Sequence, residues 1–165
     1  MLLKGSCHCQ AVTFALESDQ PYPFNLCFCD ICRKTQGGGG YAINLGGNAS
    51  SMNVEGAEHI SVYQATVKRA DGENHSSPAK RHFCARCGSG LWLYDSRWPA
   101  LIHPFASAID TELPAPPERT VMMTASMKSW IGFDKNDRDK SFAAYPDESL
   151  EDWHKRQRTE KKIPE

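Results

Sequence analysis

The sequence contains no apolar run near the roughly 20 residues that a membrane-spanning helix needs; its longest lies around Leu101-Ile102. It does not open on a signal-peptide core, because Lys4 interrupts the start after Leu2 and Leu3. Both absences predict a soluble, cytoplasmic protein with no membrane partner. There is no surplus of either charge: 19 Lys and Arg face 20 Asp and Glu, a net charge of −1. A broad surface for nucleic acid would need a basic excess, so nucleic acid is not expected as a partner. No internal repeat suggests a solenoid. No cysteine falls between Cys32 and Cys84, and none follows Cys87. What remains is a chain of 165 residues with 12 Gly, 10 Pro and 40% apolar residues. That describes one turn-rich globular domain, large enough to bury a core without covalent staples.

The seven cysteines, Cys7, Cys9, Cys27, Cys29, Cys32, Cys84 and Cys87, carry the most information. An odd number without a secretory leader argues against a disulfide framework. Cys7-His8-Cys9 and Cys27-Phe28-Cys29 are C-x-C pairs, too close for an unstrained disulfide between their members. Cys29-Asp30-Ile31-Cys32 and Cys84-Ala85-Arg86-Cys87 are C-x-x-C pairs. Their intervening backbone can turn its amides toward the thiolates, an arrangement that suits tetrahedral Zn²⁺. A closed structural zinc site takes four protein ligands, and a catalytic one takes three. The seven therefore divide into a local trio, Cys27, Cys29 and Cys32, and a set of four, Cys7, Cys9, Cys84 and Cys87, built from two distant knuckles. This division implies two Zn²⁺ per chain. A single zinc site with three further buried cysteines is the other metal reading. A redox C-x-x-C would need a βαβ setting that the pattern lacks, and iron–sulfur clusters usually take four thiolates each.

Strand patterns dominate the rest. Ala11 to Leu16 is an apolar, β-branched run, and Tyr41 to Leu45 follows the glycines at 37–40. His59 to Tyr63 alternates with period two. Arg81-His82-Phe83-Cys84 and Gly90 to Tyr94 flank the second knuckle as the arms of a hairpin. Leu101 to Ala106 is a further strand, which Pro104 would place at an edge or bulge. A short helix is expected from Asp30 through Thr35, and a second from Glu148 to about Thr159, with Asp147 as N-cap, a Glu151–Lys155 pair and a Leu150/Trp153 stripe. The segment 70–79 reads as an exposed loop, the proline-rich stretch Glu112 to Arg119 as an extended crossing, and 161–165 as a frayed tail.

Three blocks, taken together, resemble a known family. They are Gly5-Ser6-Cys7-His8-Cys9-x-Ala11-Val12-x-Phe14, then Cys27-x-Cys29-x-x-Cys32-Arg33-Lys34, then Phe83-Cys84-x-x-Cys87-Gly88-Ser89-x-Leu91-Trp92. In this order they are similar to the glutathione-dependent formaldehyde-activating family, which also includes centromere protein V. The resemblance implies a mainly β, zinc-bound antiparallel fold called the β-tent, here over residues 1–145, with short helices and a C-terminal helix and tail at 146–165. It also implies carbon–sulfur lyase chemistry, in which glutathione and formaldehyde form S-hydroxymethylglutathione. The expected partner is a small molecule, glutathione or a related thiol adduct. Gln10 stands where a glycine is often found in the family, and Phe28 where a histidine is common.

The catalytic candidates are Cys27, Cys29 and Cys32, and all seven cysteines are metal-ligand candidates. Arg33 and Lys34 follow Cys32 directly. They could lower thiolate pKa values or hold a substrate carboxylate, or simply form a solvated helix face. Lys128 is a further candidate for a glutathione carboxylate. His8 reads as structural or solvent-facing, because thiolates already complete its site. His82 reads as a hydrogen-bond donor toward a thiolate or as a strand residue. Trp92, Trp98, Trp130 and Phe105 read as core, with Trp130 as an alternative pocket wall. The competing function is a non-catalytic zinc module for a protein or chromatin partner.

Overall fold

The computed structural model describes residues 1–19, 21–22, 24–36, 38–68 and 72–160. The expected tail at 161–165 lies outside the described residues, as do Gly37 of the glycine run and part of the segment at 70–79. In chain order the elements are β1 (Leu2–Ser6), β2 (Thr13–Glu17), β3 (Phe24–Cys27), α1 (Asp30–Gln36), β4 (Ala42–Asn44), β5 (Gly47–Asn48) and β6 (Asn53–Glu55). Then come β7 (Ile60–Lys68), β8 (Asn74–Cys84), β9 (Gly90–Asp95), β10 (Leu101–Pro104), β11 (Arg119–Met122), β12 (Lys140–Ser141) and α2 (Leu150–Glu160). The fold is mainly β, as the sequence predicts.

The strands form three sheets, ordered β1-β2-β6, β5-β10-β9-β8-β7 and β12-β11-β3-β4. The first two are antiparallel throughout. The third is mixed: β11 runs parallel to both β3 and β12, and β4 runs antiparallel to β3. Leu3, Val12, Phe14 and Leu16 of the first sheet region meet Leu91, Trp92 and Ile102 of the second in the main core. Phe14 meets Trp92 edge-on, with centroids 5.2 Å apart. A second cluster gathers Cys27, Cys32, Ala42, Phe105 and Met122, so it joins the third sheet to the end of β10. A third packs Leu26, Phe28, Val121 and Ile131 on the opposite face of β3.

Several details depart from the sequence expectation. The segment 74–79 is the first half of β8, paired with β7, and not a loop. Pro78 is tolerated there because the register shifts opposite Ala65, where no ladder amide is needed. β10 is an interior strand; Pro104 sits beyond the two-residue β5, where the missing N–H costs no cross-strand bond. α2 begins at Leu150, and its cap is Ser149, whose Oγ accepts the Asp152 N–H at 3.1 Å, in place of Asp147. The Glu151–Lys155 pair forms at 2.7 Å. Trp98 and Trp130 are not core: they are 47% and 64% exposed, because each lies in a turn outside the sheets.

The C-terminal third is fastened by charge. Asp139, whose side chain is fully buried, accepts Arg119 Nε–H at 2.9 Å and Asn136 N–H at 3.0 Å. Burial opposes its ionisation, but Arg119 outweighs that and holds the carboxyl below the usual range. A depressed folded pKa means this stabilisation is present above the unfolded carboxylate value and is lost as pH falls through the folded one. Asp139→Asn is therefore expected to cost about 3 kcal/mol at neutral pH and to flatten the acid limb of a urea-denaturation stability profile. An unchanged limb would remove Asp139 from the acid response.

Candidate functional site

The first knuckle follows β1. Cys7 N–H donates to Val12 O at 3.0 Å, Val12 N–H donates to Cys7 Sγ at 3.3 Å, and Gln10 N–H closes the turn on Cys7 O at 3.0 Å. This turn forces Gln10 into left-handed backbone, with φ +59°. A side chain there is strained, which accounts for the glycine common at this position. Gln10 Nε2 offsets part of the strain by donating to Ser6 Oγ at 3.1 Å. The second knuckle follows β8. Gly88, at φ +76°, donates its N–H to Cys84 O at 2.8 Å, and Cys84 N–H donates to Ser89 O at 2.9 Å. Ser89 Oγ joins the two knuckles: it accepts His8 N–H at 3.1 Å and lies 3.2 Å from Cys87 Sγ. The Ser89 hydroxyl, with its amide, pulls the Cys87 thiol down to about 5.

The four sulfurs of Cys7, Cys9, Cys84 and Cys87 lie within 4.8 Å of one another. Cys7–Cys9 is 3.6 Å and Cys9–Cys84 is 3.8 Å. Zinc–sulfur bonds of 2.3 Å in a regular tetrahedron put sulfurs about 3.8 Å apart, so the donor set fits a closed zinc site without rearrangement.

The trio is built locally. Cys27 ends β3, where its neighbours in register are Ala42 on β4 and Met122 on β11. The chain then turns into α1, so Cys29 and Cys32 come back under Cys27. Their three sulfurs also lie within 4.8 Å of one another. Cys32 N–H donates to Cys29 Sγ at 3.4 Å. The Cys27 and Cys32 thiols, helped by the amides of Cys32 and Ile31, pull the Cys29 thiol far down. Cys29 and then Cys32 push Cys27 up. Phe28 points away into the third core cluster, fully buried and 4.9 Å from Tyr41 between ring centroids.

Beside the trio is a cavity of about 200 Å³, lined by Gln36, Gly38, Gly39 and Tyr41 and sharing Ala42 and Phe105 with the trio's cluster. Gly40, at φ +91°, closes its glycine loop against Ile131 and Trp130; a Cβ there would come within 2.6 Å of Ile131. Thus Trp130 braces the loop from outside.

Of the other predicted residues, Arg33 is half-buried and pairs with Asp30 at 2.7 Å, while Lys34 is exposed on α1. Lys128 reaches the same Asp30 at 3.8 Å. His8 is exposed. His82 stacks on Trp92 with centroids 5.1 Å apart, and burial lowers its pKa.

Sequence reasoning missed Arg81 and Tyr145, near the trio, and His103 on β10. Arg81, on β8, is 6% exposed, and its Nη2 lies 3.9 Å from Cys32 Sγ. Tyr145 lies close enough to Arg97, Cys27 and Cys29 to feel their charges; burial and the two thiols raise its phenol pKa, and Arg97 opposes the shift. His103, across the ladder from Leu93, donates Nδ1–H to Leu45 O at 3.1 Å, and burial lowers its pKa.

With this geometry in place, the comparisons with known proteins decide the family. The sequence model of the glutathione-dependent formaldehyde-activating enzyme family matches residues 2–125. The chain belongs to this family. A Halomonas elongata protein, named as a candidate glutathione-dependent formaldehyde-activating enzyme, is 56% identical over 156 residues, covering 94% of this chain and 96% of its own. The crystal structure of a Rhodobacter sphaeroides protein is similar in fold, with a TM-score of 0.51 and 25% identity over 67% of this chain and 91% of that one. The family match includes all seven cysteines and Arg81 but stops short of Lys128, Trp130 and Tyr145. Both cysteine groups are compatible with metal ions. No helix among the described residues is long and apolar enough to cross a membrane.

Proposed function

We propose that the protein is a zinc-dependent carbon–sulfur lyase acting on a glutathione–aldehyde adduct of the S-hydroxymethylglutathione type. The observation that carries this reading is the three-cysteine cluster beside a cavity, in a chain that also holds a complete set of four. Membership of the family supports glutathione as the thiol and formaldehyde as the aldehyde.

Cys27, Cys29 and Cys32 would hold the reactive metal, and Cys7, Cys9, Cys84 and Cys87 the structural one. Bound zinc would supply a fourth ligand position at which a thiol ionises, where free glutathione, with a thiol pKa near ~8.5, is only a few per cent thiolate at neutral pH. The chain's own residues fix the direction of approach. The Cys32 amide donates to Cys29 Sγ, which damps that sulfur as a nucleophile and leaves the attack to the incoming thiol. Ala42 and Phe105 form an apolar wall that limits water, and Gly38 and Gly39 leave backbone open to a peptide-like thiol. Asp30 draws Arg33 and Lys128 to the outer end of α1, where they can meet a glutathione carboxylate.

Cobalt substitution followed by glutathione titration tests the reading. The thiolate-to-cobalt charge-transfer band is expected to shift, to saturate at one equivalent per chain, and to lose that response in Cys29→Ser. No response at millimolar glutathione, or an equal response in Cys29→Ser, would sink it and favour a non-catalytic binding module.

A further inference from the structure

Arg81 lies in a setting that a structural arginine seldom occupies. Its side chain leaves the middle of β8 and is more than nine-tenths buried, where a guanidinium without an acceptor is strongly unfavourable. No carboxylate among the described residues pairs with it, and its Nε and Nη1 have no hydrogen-bond acceptor among them. Among the described residues its polar neighbour is Cys32 Sγ, 3.9 Å from Nη2. By contrast, Arg97 on Asp95, Arg119 on Asp139 and Arg156 on Glu118 each use two nitrogens on a buried carboxylate. Arg81 therefore presents a fixed positive charge to the trio, with two donor nitrogens left over, of which Nη1 shares an edge with the Nη2 beside Cys32.

The depth of those donors selects their ligand. A glutathione carboxylate is many bonds from the sulfur and carries a solvated charge; it suits the outer end of α1. An oxygen two bonds from the sulfur is carried inward with it. We propose that Arg81 is a catalytic residue whose Nη1–H, on the same edge of the guanidinium as the Nη2 beside Cys32, binds the aldehyde oxygen and holds the negative charge that develops on it. This rests on the lyase reading above. In the forward direction a lone pair of the thiolate sulfur forms the C–S bond, and the C=O π pair moves onto oxygen. That oxygen then takes one proton from water, replacing the one released when the thiol ionised. The sum is RSH plus H₂C=O giving RSCH₂OH, with nothing oxidised or reduced. In reverse, the same Nη1–H holds the alkoxide while the C–S bond breaks. Arginine stays protonated throughout, so it stabilises charge and transfers no proton.

Loss of one oxyanion donor typically costs 10²–10³ in kcat. Arg81→Gln is expected to lower kcat about 100-fold or more, with KM for glutathione within about threefold of wild type. Arg81→Lys keeps the charge without the planar fork and is expected to recover part of the rate. A second readout is independent of turnover. In calorimetry, S-carboxymethylglutathione, with oxygens next to the sulfur-bound carbon, should bind the wild type at least tenfold more tightly than S-methylglutathione. Arg81→Gln should abolish that preference and leave zinc content unchanged. If Arg81→Gln keeps the preference, keeps kcat, or loses the trio's metal, the proposal is overturned, the last result making Arg81 a counter-charge for the cysteines. Should Arg81→Gln fail to fold, Arg81→Lys with wild-type preference and wild-type kcat overturns it equally. A wild type whose cobalt spectrum ignores glutathione removes the lyase reading first; a responsive wild type with an unaltered Arg81→Gln variant removes only the role of Arg81.

Discussion

Cys84→Ser is expected to yield no cooperatively folded protein. Cys84 is fully buried in the main core beside Leu91 and Trp92. On the proposed division it is also one of four ligands that join segments 75 residues apart. Structural zinc contributes on the order of 10 kcal/mol or more to the folding of small zinc domains, and a domain's whole net stability is about 5–15 kcal/mol. Loss of one ligand therefore removes a contribution as large as the total. It also leaves Cys7 and Cys9 as buried or crowded thiols at the end of β1. Insoluble expression, or a soluble species that melts without a cooperative transition, is the expected result. A soluble Cys84→Ser variant with a sharp melt and one zinc fewer per chain would count against the structural role.

Cys32→Ser should behave in the opposite way. On the same proposed division its ligand set lies within Cys27 to Cys32, so no long loop opens when it is lost. Serine is close to cysteine in volume, and the exchange places one hydroxyl against Ala42, Phe105 and Met122. A buried hydroxyl without a partner costs about 1–3 kcal/mol, which most domains survive. The variant is expected to be folded, to melt a few degrees lower by about that amount, and to hold about one zinc per chain. Thiol-dependent activity should be lost. Collapse as severe as that of Cys84→Ser would mean that the roles are reversed or that the two groups form one coupled site. Retained activity would move the chemistry away from the trio.

Both cysteine groups were legible in the sequence because tight knuckles are local. A C-x-C or C-x-x-C spacing already fixes which sulfurs can converge, and only the pairing of the two distant knuckles depends on the fold. The hairpin around Cys84 and Cys87 was legible for the same reason. Arg81 was not. It stands in Lys80-Arg81-His82, a polar triplet that reads as solvated strand, yet alternation buries the middle residue while Lys80 is exposed. The acceptor it faces, Cys32, is 49 positions away. Tyr145 was missed because nothing local marks a tyrosine in a loop as neighbouring Cys27. Trp98 and Trp130 went wrong in the other direction: hydrophobicity suggested core, but each sits in a turn whose packing partners, Arg97 for Trp98 and Gly40 for Trp130, leave much of the ring outside.

The span between the two knuckles also governs the order in which the chain can become a protein. Cys9 emerges during synthesis 75 residues before Cys84. At 5–20 residues per second, that interval lasts roughly 4–15 s. During it, β1 and β2 can pair as a hairpin, but the Cys7–Cys9 turn has neither Ser89 nor the second pair of sulfurs to close on. The three-cysteine cluster, complete by residue 32, can gather its sulfurs much earlier. On the proposed division, metal supply during translation would therefore reach the Cys27/Cys29/Cys32 trio first. The fold as a whole waits for a late, sequence-distant contact of the kind that slows folding. Refolding of the full-length chain should accordingly be limited by closure of the Cys7/Cys9/Cys84/Cys87 site, and should speed up when zinc is present from the start.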